Sequence, residues 1–211
     1  RESTLTPGES GLGLRLFGVL ASLHSEPLTL ERSGTLSKRN VHALDKALRS
    51  FGATLEPGND ESHLVVRGPL KGCDVSLDAS GSSQVLTGLM CALAHAEGDS
   101  TLTLQGLVSR PYLQMTLEVL EDMGIEIKVL NEDEDNRSMA IHVPGNQRAS
   151  AMDVAVDGDW SAAAFLLALG ALCAPHHLNV EGLHSTYTQA DEAVKGALLF
   201  GGCRLAGTDE G

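Results

Sequence analysis

The chain has 211 residues, of which 42% are hydrophobic and 20% charged, a composition typical of a globular protein of one or two domains with a sizeable core. Its formal net charge of −13, with lysine and arginine unclustered, argues against a nucleic-acid-binding face. No apolar run reaches the roughly 18 residues of a membrane span and no signal peptide is visible, so a cytoplasmic protein without a membrane partner is predicted.

Helices and strands alternate along the first third of the chain. The apolar run LRLFGVLAS predicts a helix, and LTLERSG, with alternating apolar residues, predicts a strand. VHALDKALRSFG predicts a second helix that ends at a glycine, followed by the strand GATLE. After the turn PGNDES, HLVVRG and DVSLDAS predict two further strands. The order is helix–strand–helix–strand–strand–strand.

The same order recurs twice more, which is the strongest internal signal. Helix-plus-strand runs at 14–34, 83–106 and 161–182 align, and each precedes a second helix and a strand. SMAIHVPG and MDVAVDG fill the second gap, after the acidic turn NEDEDNR, which is interpreted as a solvated hairpin tip. Read this way, the chain starts at the first helix of one unit and ends one strand past the second helix of the third. Since it begins at Arg1 rather than Met, we expect a piece of a longer polypeptide.

Two sets of glycines measure the period of the repeat. The glycines that close each first strand lie 72 and 76 residues apart, and those after each second helix lie 72 and 78 apart. A period of this length corresponds to a whole βαβα-type unit rather than a short solenoid repeat. We expect the glycines after the second helices to adopt the left-handed conformation that ends many helices. These are Gly52, Gly124 and Gly202.

Each first helix opens from a turn rich in glycine and serine: GESG (8–11), ASGSSQ (79–84) and DGDWSA (157–162). In ASGSSQ, residues Ser82, Ser83 and Gln84 stand where unpaired N–H groups and the helix dipole favour a carboxylate. A turn without its own negative charge is open to a bound anion, although a serine there also serves as an ordinary N-cap. If the units pack around a common axis, these helix starts would converge on a cleft suited to an anionic substrate.

Several charged and polar residues lie near those turns. Arg15 interrupts an apolar helix, as a snorkelling surface residue or as a charge directed into a cleft. Arg39 and Arg110 precede the second helices of the first two units, as site residues or as solvated loop charges. Ser109 and Tyr112 flank Arg110 and carry hydroxyls for an anion or a sugar-like group.

Other chemistries find little support in the sequence. Asp157 and Asp159 are either helix caps or an acid/base pair. The eight histidines and four cysteines show no metal-ligand spacing. The sequence also contains no phosphate-binding loop and no nucleophile elbow. Neither a metal nor a cofactor is therefore expected. The thiols are expected to be reduced.

At this point two segments carry a resemblance to a known family. GSSQVLTGLM followed by LQGLVSRPYLQMTLEVLEDMGIEI resembles the enolpyruvyl transferase family, in the branch that acts on shikimate 3-phosphate. DGDWSAAAFLLALGAL, GESGLGLR and LSKRN resemble further segments of that family, in order along the chain. The resemblance implies an α/β (mixed α+β) fold of two lobes, an inside-out α/β barrel built from repeated βαβαββ units and incomplete here. Residues 1–152 would form most of one lobe, about two units, and residues 153–211 the start of the second lobe.

The family's reaction moves the enolpyruvyl group of phosphoenolpyruvate to the 5-hydroxyl of shikimate 3-phosphate and releases phosphate. The resemblance implies that Gln84 lies between the two small-molecule substrates and that this chain carries part of the active site, with no catalytic residue assigned. A full-length monomer that uses no cofactor is implied. Its implied shikimate 3-phosphate ligands are Ser82, Ser83, Gln84, Ser109 and Tyr112. Its phosphoenolpyruvate ligands are Gly11, Arg39 and Gln84, supported by Arg15, Arg110 and Asp159.

The chain departs from the family pattern at four positions in three of these segments. Glu9 replaces a neutral amide, Leu12 replaces a small hydroxyl residue, Asn40 replaces proline, and Arg110 replaces lysine. Glu9 favours a different reading, a paralogue or fragment that binds a phosphorylated metabolite without catalysis. A third reading, the branch that uses UDP-N-acetylglucosamine, shares the repeat but not the SSQ and SRPY segments.

Overall fold

In a computed structural model, residues 3–81, 83–135 and 137–207 are described. The chain divides into two compact units, Arg1–Ala151 and Met152–Gly211. The assignment of these units to two lobes stays a prediction. The strands are β1 (Ser3–Gly8), β2 (Leu28–Arg32), β3 (Thr54–Pro57), β4 (His63–Arg67), β5 (Val75–Asp78), β6 (Ser100–Gln105), β7 (Lys128–Asp133) and β8 (Ser138–Val143). The α-helices are α1 (Gly11–Ala21), α2 (His42–Ser50), α3 (Ser83–His95), α4 (Arg110–Asp122), α5 (Trp160–Cys173) and α6 (Val194–Phe200).

The first unit contains the predicted repeat twice. Its described residues form two four-stranded sheets with strand orders β1-β2-β4-β3 and β5-β6-β8-β7. Strand β1 is parallel to β2, and β5 is parallel to β6. Strand β2 pairs antiparallel with β4, and β6 pairs antiparallel with β8. The mixed α/β class and the repeated topology are therefore confirmed, while both sheets are open rather than closed into a barrel within the described residues.

The core of the first unit lies where its helices pack together and against the sheets. Leu14, Leu30, Leu89, Leu102 and Ile141 are almost fully buried in one hydrophobic cluster. Helices α1 and α3 pack against each other. Their close approach depends on a glycine, because a Cβ at position 88 would lie 3.1 Å from Val19 Cγ2 and 3.3 Å from the Arg15 carbonyl oxygen.

Strand β1 corrects the expectation that the first unit begins at its first helix. Residues 3–5 pair in parallel with residues 28–30 of β2, and Gly8 pairs with Arg32 after a bulge. The strand is at the edge of its sheet and its residues are mostly exposed. An exposed edge strand needs little apolar patterning, and Pro7 is tolerated there, so the sequence carried almost no strand signal.

Over its described residues, the second unit contains helices but none of the three predicted strands. Segments 152–158, 176–182 and 203–206 were expected to be strands, and the described residues there lack strand pairing. In the first unit each such sheet is built on a central antiparallel partner, β4 or β8, and the described second unit has no equivalent hairpin. The ends of two of these segments are still joined by a hydrogen bond, because the Gly158 N–H donates to the Gly182 carbonyl at 2.8 Å.

The local signals that end helices are confirmed. Gly52, Gly124 and Gly202 have φ values of +80°, +76° and +86°, the left-handed region expected after a helix. All four cysteines are free, as expected. Among the described residues, no helix combines the length and the hydropathy that crossing a membrane requires.

Candidate functional site

The helix starts of the first unit gather at the carboxyl ends of parallel strands. Strands β1 and β2 run parallel and lead into α1 and, through a 3₁₀ turn (Gly34–Lys38), into α2. Strands β5 and β6 run parallel and lead into α3 and α4. Because parallel neighbours end at the same sheet edge, each pair of connections lies together, which is where open α/β sheets commonly bind ligands.

Helices α1, α3 and α4 have no acidic residue in the first turn. At α1 the Ser10 hydroxyl accepts a hydrogen bond from the Gly13 N–H at 2.9 Å, an ordinary N-cap. The other amino-terminal N–H groups and the positive end of each helix dipole are left without a side-chain carboxylate of the helix itself. This environment favours a bound anion.

Arg15 joins the two repeats across the α1–α3 contact. Its Nη1 donates to the Gly11 carbonyl at 2.9 Å and to Gln84 Oε1 at 3.1 Å. Both interactions are partly buried, so the guanidinium is held at the start of its own helix and beside the start of α3. Between the two readings of Arg15, snorkelling on the surface or a charge held at the site, this geometry favours the second.

Arg39 also lies beside Gly11. A Cβ built on Gly11 would be 2.9 Å from Arg15 Nη1 and 3.5 Å from Arg39 Nη1, so both guanidinium groups approach the space that a side chain at this position would fill. A cavity of about 50 Å³ opens beside them, lined in part by Asn40 and Gly81. It is too small for an organic anion, and Arg15 and Arg39 are among its lining residues.

The start of α4 forms a second cluster of predicted site residues. Ser109 is the N-cap, yet its side chain makes no capping hydrogen bond. Arg110 is ion-paired with Glu132, lies 3.6 Å from Glu134, and donates from Nη2 to the Asp133 carbonyl at 3.1 Å. The acidic hairpin therefore neutralises Arg110, a contact that the sequence analysis missed when it took the hairpin as merely solvated.

The remaining residues of that cluster lie on exposed or half-buried positions. The Tyr112 side chain is 40% exposed, and its backbone carbonyl accepts a hydrogen bond from Thr116 Oγ1 at 2.9 Å. Thr116 Oγ1 also lies 2.9 Å from Thr87 Oγ1, which joins α4 to α3 one turn beyond their starts. Ser83 is the half-buried first residue of α3, and Ser82 lies outside the described residues.

The departures from the family pattern have structural partners. The Glu9 carboxylate accepts a hydrogen bond from the Thr35 N–H at 3.3 Å, at the start of the 3₁₀ turn. Asn40 Oδ1 accepts from the His42 N–H at 2.6 Å and so satisfies one donor at the start of α2. Leu12 is 49% exposed. The Glu9 carboxylate thus accepts a backbone hydrogen bond in the 3₁₀ turn, which gives this replacement a structural role besides the non-catalytic reading that it favoured.

In the second unit, the aspartates at the helix start serve the local backbone. Asp159 is the N-cap of α5 and accepts from the Ser161 N–H at 2.8 Å. Asp157 accepts from the Thr186 N–H and hydroxyl, both at 3.0 Å. Of the two readings left open by the sequence, helix capping and acid/base chemistry, the geometry favours capping. Trp160 packs beneath this turn and donates from Nε1 to the His184 carbonyl at 3.1 Å.

Comparison with known proteins gives the arrangement a family. The family model of EPSP synthase (3-phosphoshikimate 1-carboxyvinyltransferase) matches residues 1–209. A 3-phosphoshikimate 1-carboxyvinyltransferase of Methanosarcina acetivorans is 35% identical over 196 residues, 92% of this chain and 44% of that protein. The Methanoculleus marisnigri protein of the same name is 34% identical over 214 residues, 99% of this chain and 49% of its own length.

A solved structure agrees with the sequence comparison. EPSP synthase from Acinetobacter baumannii superposes with a TM-score of 0.70 and 25% identity, covering 95% of this chain and 43% of that one. The chain thus spans about half the length of the relatives it matches. The repeated topology, the helix starts at the strand ends and the family match over nearly the whole chain lead to one conclusion: this chain belongs to the EPSP synthase family.

Proposed function

We propose that this chain is part of an enzyme that transfers the enolpyruvyl group of phosphoenolpyruvate to the 5-hydroxyl of shikimate 3-phosphate. The products are 5-enolpyruvylshikimate 3-phosphate and phosphate. In this transfer the 5-oxygen becomes bonded to the enol carbon, and the bond from that carbon to the phosphate oxygen breaks. The hydroxyl proton leaves with the released phosphate or the solvent. A cytoplasmic, monomeric full-length enzyme is part of the proposal.

One observation carries this proposal: two guanidinium groups lie beside Gly11, at a helix start that has no acidic residue in its first turn. Phosphoenolpyruvate has a carboxylate and a phosphate, and arginine binds both groups through charge-assisted, often bidentate hydrogen bonds. Arg39 is exposed and contacts the anion, while Arg15 is held by Gly11 and Gln84 and supports the turn. Gln84 then lies between this anion and the second substrate.

Shikimate 3-phosphate binds at the starts of α3 and α4 in this proposal. Ser82 and Ser83 face its phosphate, together with unpaired N–H groups of the first turn of α3. The Ser109 hydroxyl is free of a capping bond and is available to the same ligand, and Tyr112 lies against the ring. Arg110 does not bind the phosphate directly, since its charge is balanced by the acidic hairpin, and Asp159 supports its own helix.

The 211-residue chain by itself is expected to be catalytically silent. At Gly11 the assembled side chains are guanidinium and amide groups, which are poorly suited to general acid/base catalysis. General acid/base catalysis needs a group whose pKa lies close to the working pH. The chain also spans under half of most relatives, so the groups that transfer protons would come from the rest of such an enzyme. Measurable turnover by residues 1–211 would contradict this expectation.

Titration of shikimate 3-phosphate into the ¹⁵N-labelled chain tests the substrate assignment. We expect amide shifts confined to residues 83–84 and 109–112, and weaker binding by Ser83→Ala. Ser50→Ala is the matched control, because Ser50 bonds to the Lys46 carbonyl at the far end of α2. Equal binding by Ser83→Ala and wild type would remove the proposed phosphate contact. Unfolding of Ser83→Ala would instead return Ser83 to a helix-start role.

A further inference from the structure

Arg32 is a buried arginine that none of the assignments above uses. It ends strand β2 and is only 6% exposed, yet among the described residues it has no carboxylate partner. Its guanidinium donates instead to backbone carbonyls: Nη1 to Leu36 and to Arg39, each at 3.4 Å, and Nη2 to Glu61. Its Nε finds no partner within the described part of the chain.

Such an arrangement is costly. Burial lowers the pKa of the Arg32 guanidinium because the charged form loses water. A buried cation without a counter-ion needs hydrogen bonds to offset its lost hydration, and three backbone carbonyls supply them here. The acceptors that Arg32 reaches belong to two segments, the end of the 3₁₀ turn and the β3–β4 hairpin. Its own backbone pairs with Gly8, which leads into α1.

The opposite end of the 3₁₀ turn is held by the opposite charge. The Glu9 carboxylate accepts from the Thr35 N–H at 3.3 Å and lies so close to Gly34 that a side chain there would overlap it. Gly34 also has a φ of +53°, in the left-handed region. A carboxylate at the start and a guanidinium at the end of the turn both match the direction of its backbone dipole.

Arg39 directly follows the 3₁₀ turn, and its position depends on that turn. The Arg39 N–H donates to the Leu36 carbonyl at 3.1 Å, and the Leu36 and Arg39 carbonyls both accept hydrogen bonds from Arg32. Arg39 then extends toward Gly11, where Arg15 also lies. Arg32 therefore fixes the backbone from which the exposed guanidinium reaches the site, without lying at the site itself.

We propose that Arg32 is a positioning residue for Arg39, which it holds in place, together with Glu9, to receive the carboxylate or phosphate of phosphoenolpyruvate. The proposal rests on the proposed function for its ligand, but its structural step, Arg32 acting on Arg39, is separately measurable. Shikimate 3-phosphate, bound at the starts of α3 and α4, should not depend on Arg32.

Binding of each substrate to Arg32→Met and Arg32→Lys tests the ligand step. Arg32→Met is expected to weaken phosphoenolpyruvate binding at least tenfold and to leave shikimate 3-phosphate binding within twofold. Lysine keeps the charge but cannot span the three carbonyls, so Arg32→Lys should fall between Arg32→Met and wild type. Arg67→Met is the matched control, because Arg67 is an exposed strand arginine ion-paired with Glu56.

A double variant separates positioning from general stability. In an Arg39→Met background, Arg32→Met should change phosphoenolpyruvate binding by less than twofold, because the group that it positions is gone. Equal loss in both backgrounds, or equal loss for both substrates, would overturn the proposal in favour of a general structural role.

Amide hydrogen exchange without ligand tests the structural step alone. Arg32→Met should speed exchange of the Arg39 amide at least tenfold and leave Ile141, in the core of the second sheet, unchanged. If Arg32→Met fails to fold, Arg32→Lys takes the same measurement. Unchanged exchange of the Arg39 amide in the variant would overturn the proposal. If the variant shows the expected faster exchange but the wild-type chain binds no phosphoenolpyruvate, only the ligand assignment would be overturned.

Discussion

Replacement of Gly11 by alanine tests whether the space beside Arg15 and Arg39 is needed for anion binding. The added Cβ would lie 2.9 Å from Arg15 Nη1, closer than ordinary van der Waals contact, and 3.5 Å from Arg39 Nη1. Arg15 must move, because the Cβ is fixed to the backbone at the first residue of α1. This movement disturbs the hydrogen bonds from Arg15 to Gly11 and Gln84, and the new methyl group also occupies space that the anion would use.

The expected effect is large on binding and small on folding. A hydrogen bond to a charged group contributes about 1.5–3 kcal/mol, so a misplaced guanidinium should cost phosphoenolpyruvate affinity roughly ten- to hundredfold. Alanine is favoured over glycine in a helix by about 0.5–1 kcal/mol, which offsets part of the lost Arg15 interactions. We therefore expect the free energy of unfolding of Gly11→Ala to stay within about 1 kcal/mol of wild type.

Calorimetric titration of phosphoenolpyruvate, together with urea unfolding, measures both quantities. Gly196→Ala is the control, since a Cβ there meets nothing within 4 Å, and it should bind as wild type does. Wild-type phosphoenolpyruvate affinity in Gly11→Ala would refute the placement of the anion between Arg15 and Arg39. Loss of folding in Gly11→Ala would show that the Arg15 contacts are mainly structural.

Three further expectations concern local structure. Ser10→Ala should lower the free energy of unfolding by about 1 kcal/mol, whereas Ser109→Ala, which loses no capping bond, should change it by less than about 0.5 kcal/mol in urea titrations. Hydrogen bonds from Ser62 and His63 hold the pKa of Asp60 far below its usual value, so the turn keeps this stabilisation above about pH 4 and loses it as the pH falls through the folded pKa. Amide exchange of Ser62 should show the loss of this stabilisation in acid. Asp60→Asn should remove the stabilisation and with it this pH dependence. Trp160, the only tryptophan, should report the urea unfolding of the second unit. We expect that transition before the β6 amide signals disappear, because α6 has no buried residue. Coincident transitions would contradict this expectation.

The sequence predicted the features that local chemistry determines. Apolar periodicity and helix-ending glycines gave the helices of the repeat and most strands of the first unit, since each signal lies within a few residues of the element. Strand β1 was missed because an exposed edge strand needs no apolar face. The strands expected in the second unit are absent from its described residues, because a strand depends on a partner that its own sequence does not supply.

The site was predictable as a set of helix starts but not as a set of contacts. The Arg15–Gln84 hydrogen bond joins residues 69 positions apart, and it depends on the close helix approach that Gly88 permits. The neutralisation of Arg110 depends on the register of the β7–β8 hairpin, which brings Glu132 to it from 22 positions away. The sequence analysis did not single out Arg32, because nothing local in the sequence shows that it is buried.

A protein with a net charge of −13 holds a candidate site for two anions because electrostatic effects at the site are local. At physiological ionic strength, exposed charges farther apart than about 8 Å are largely screened, so the total charge has little influence at Gly11. What acts there is the pair Arg15 and Arg39 and the helix starts without acidic first turns. The nearby carboxylates are engaged elsewhere, since Glu9 binds the 3₁₀ turn and Glu132 binds Arg110. An anion that reaches the strand ends therefore meets two guanidinium groups rather than the net charge of the chain.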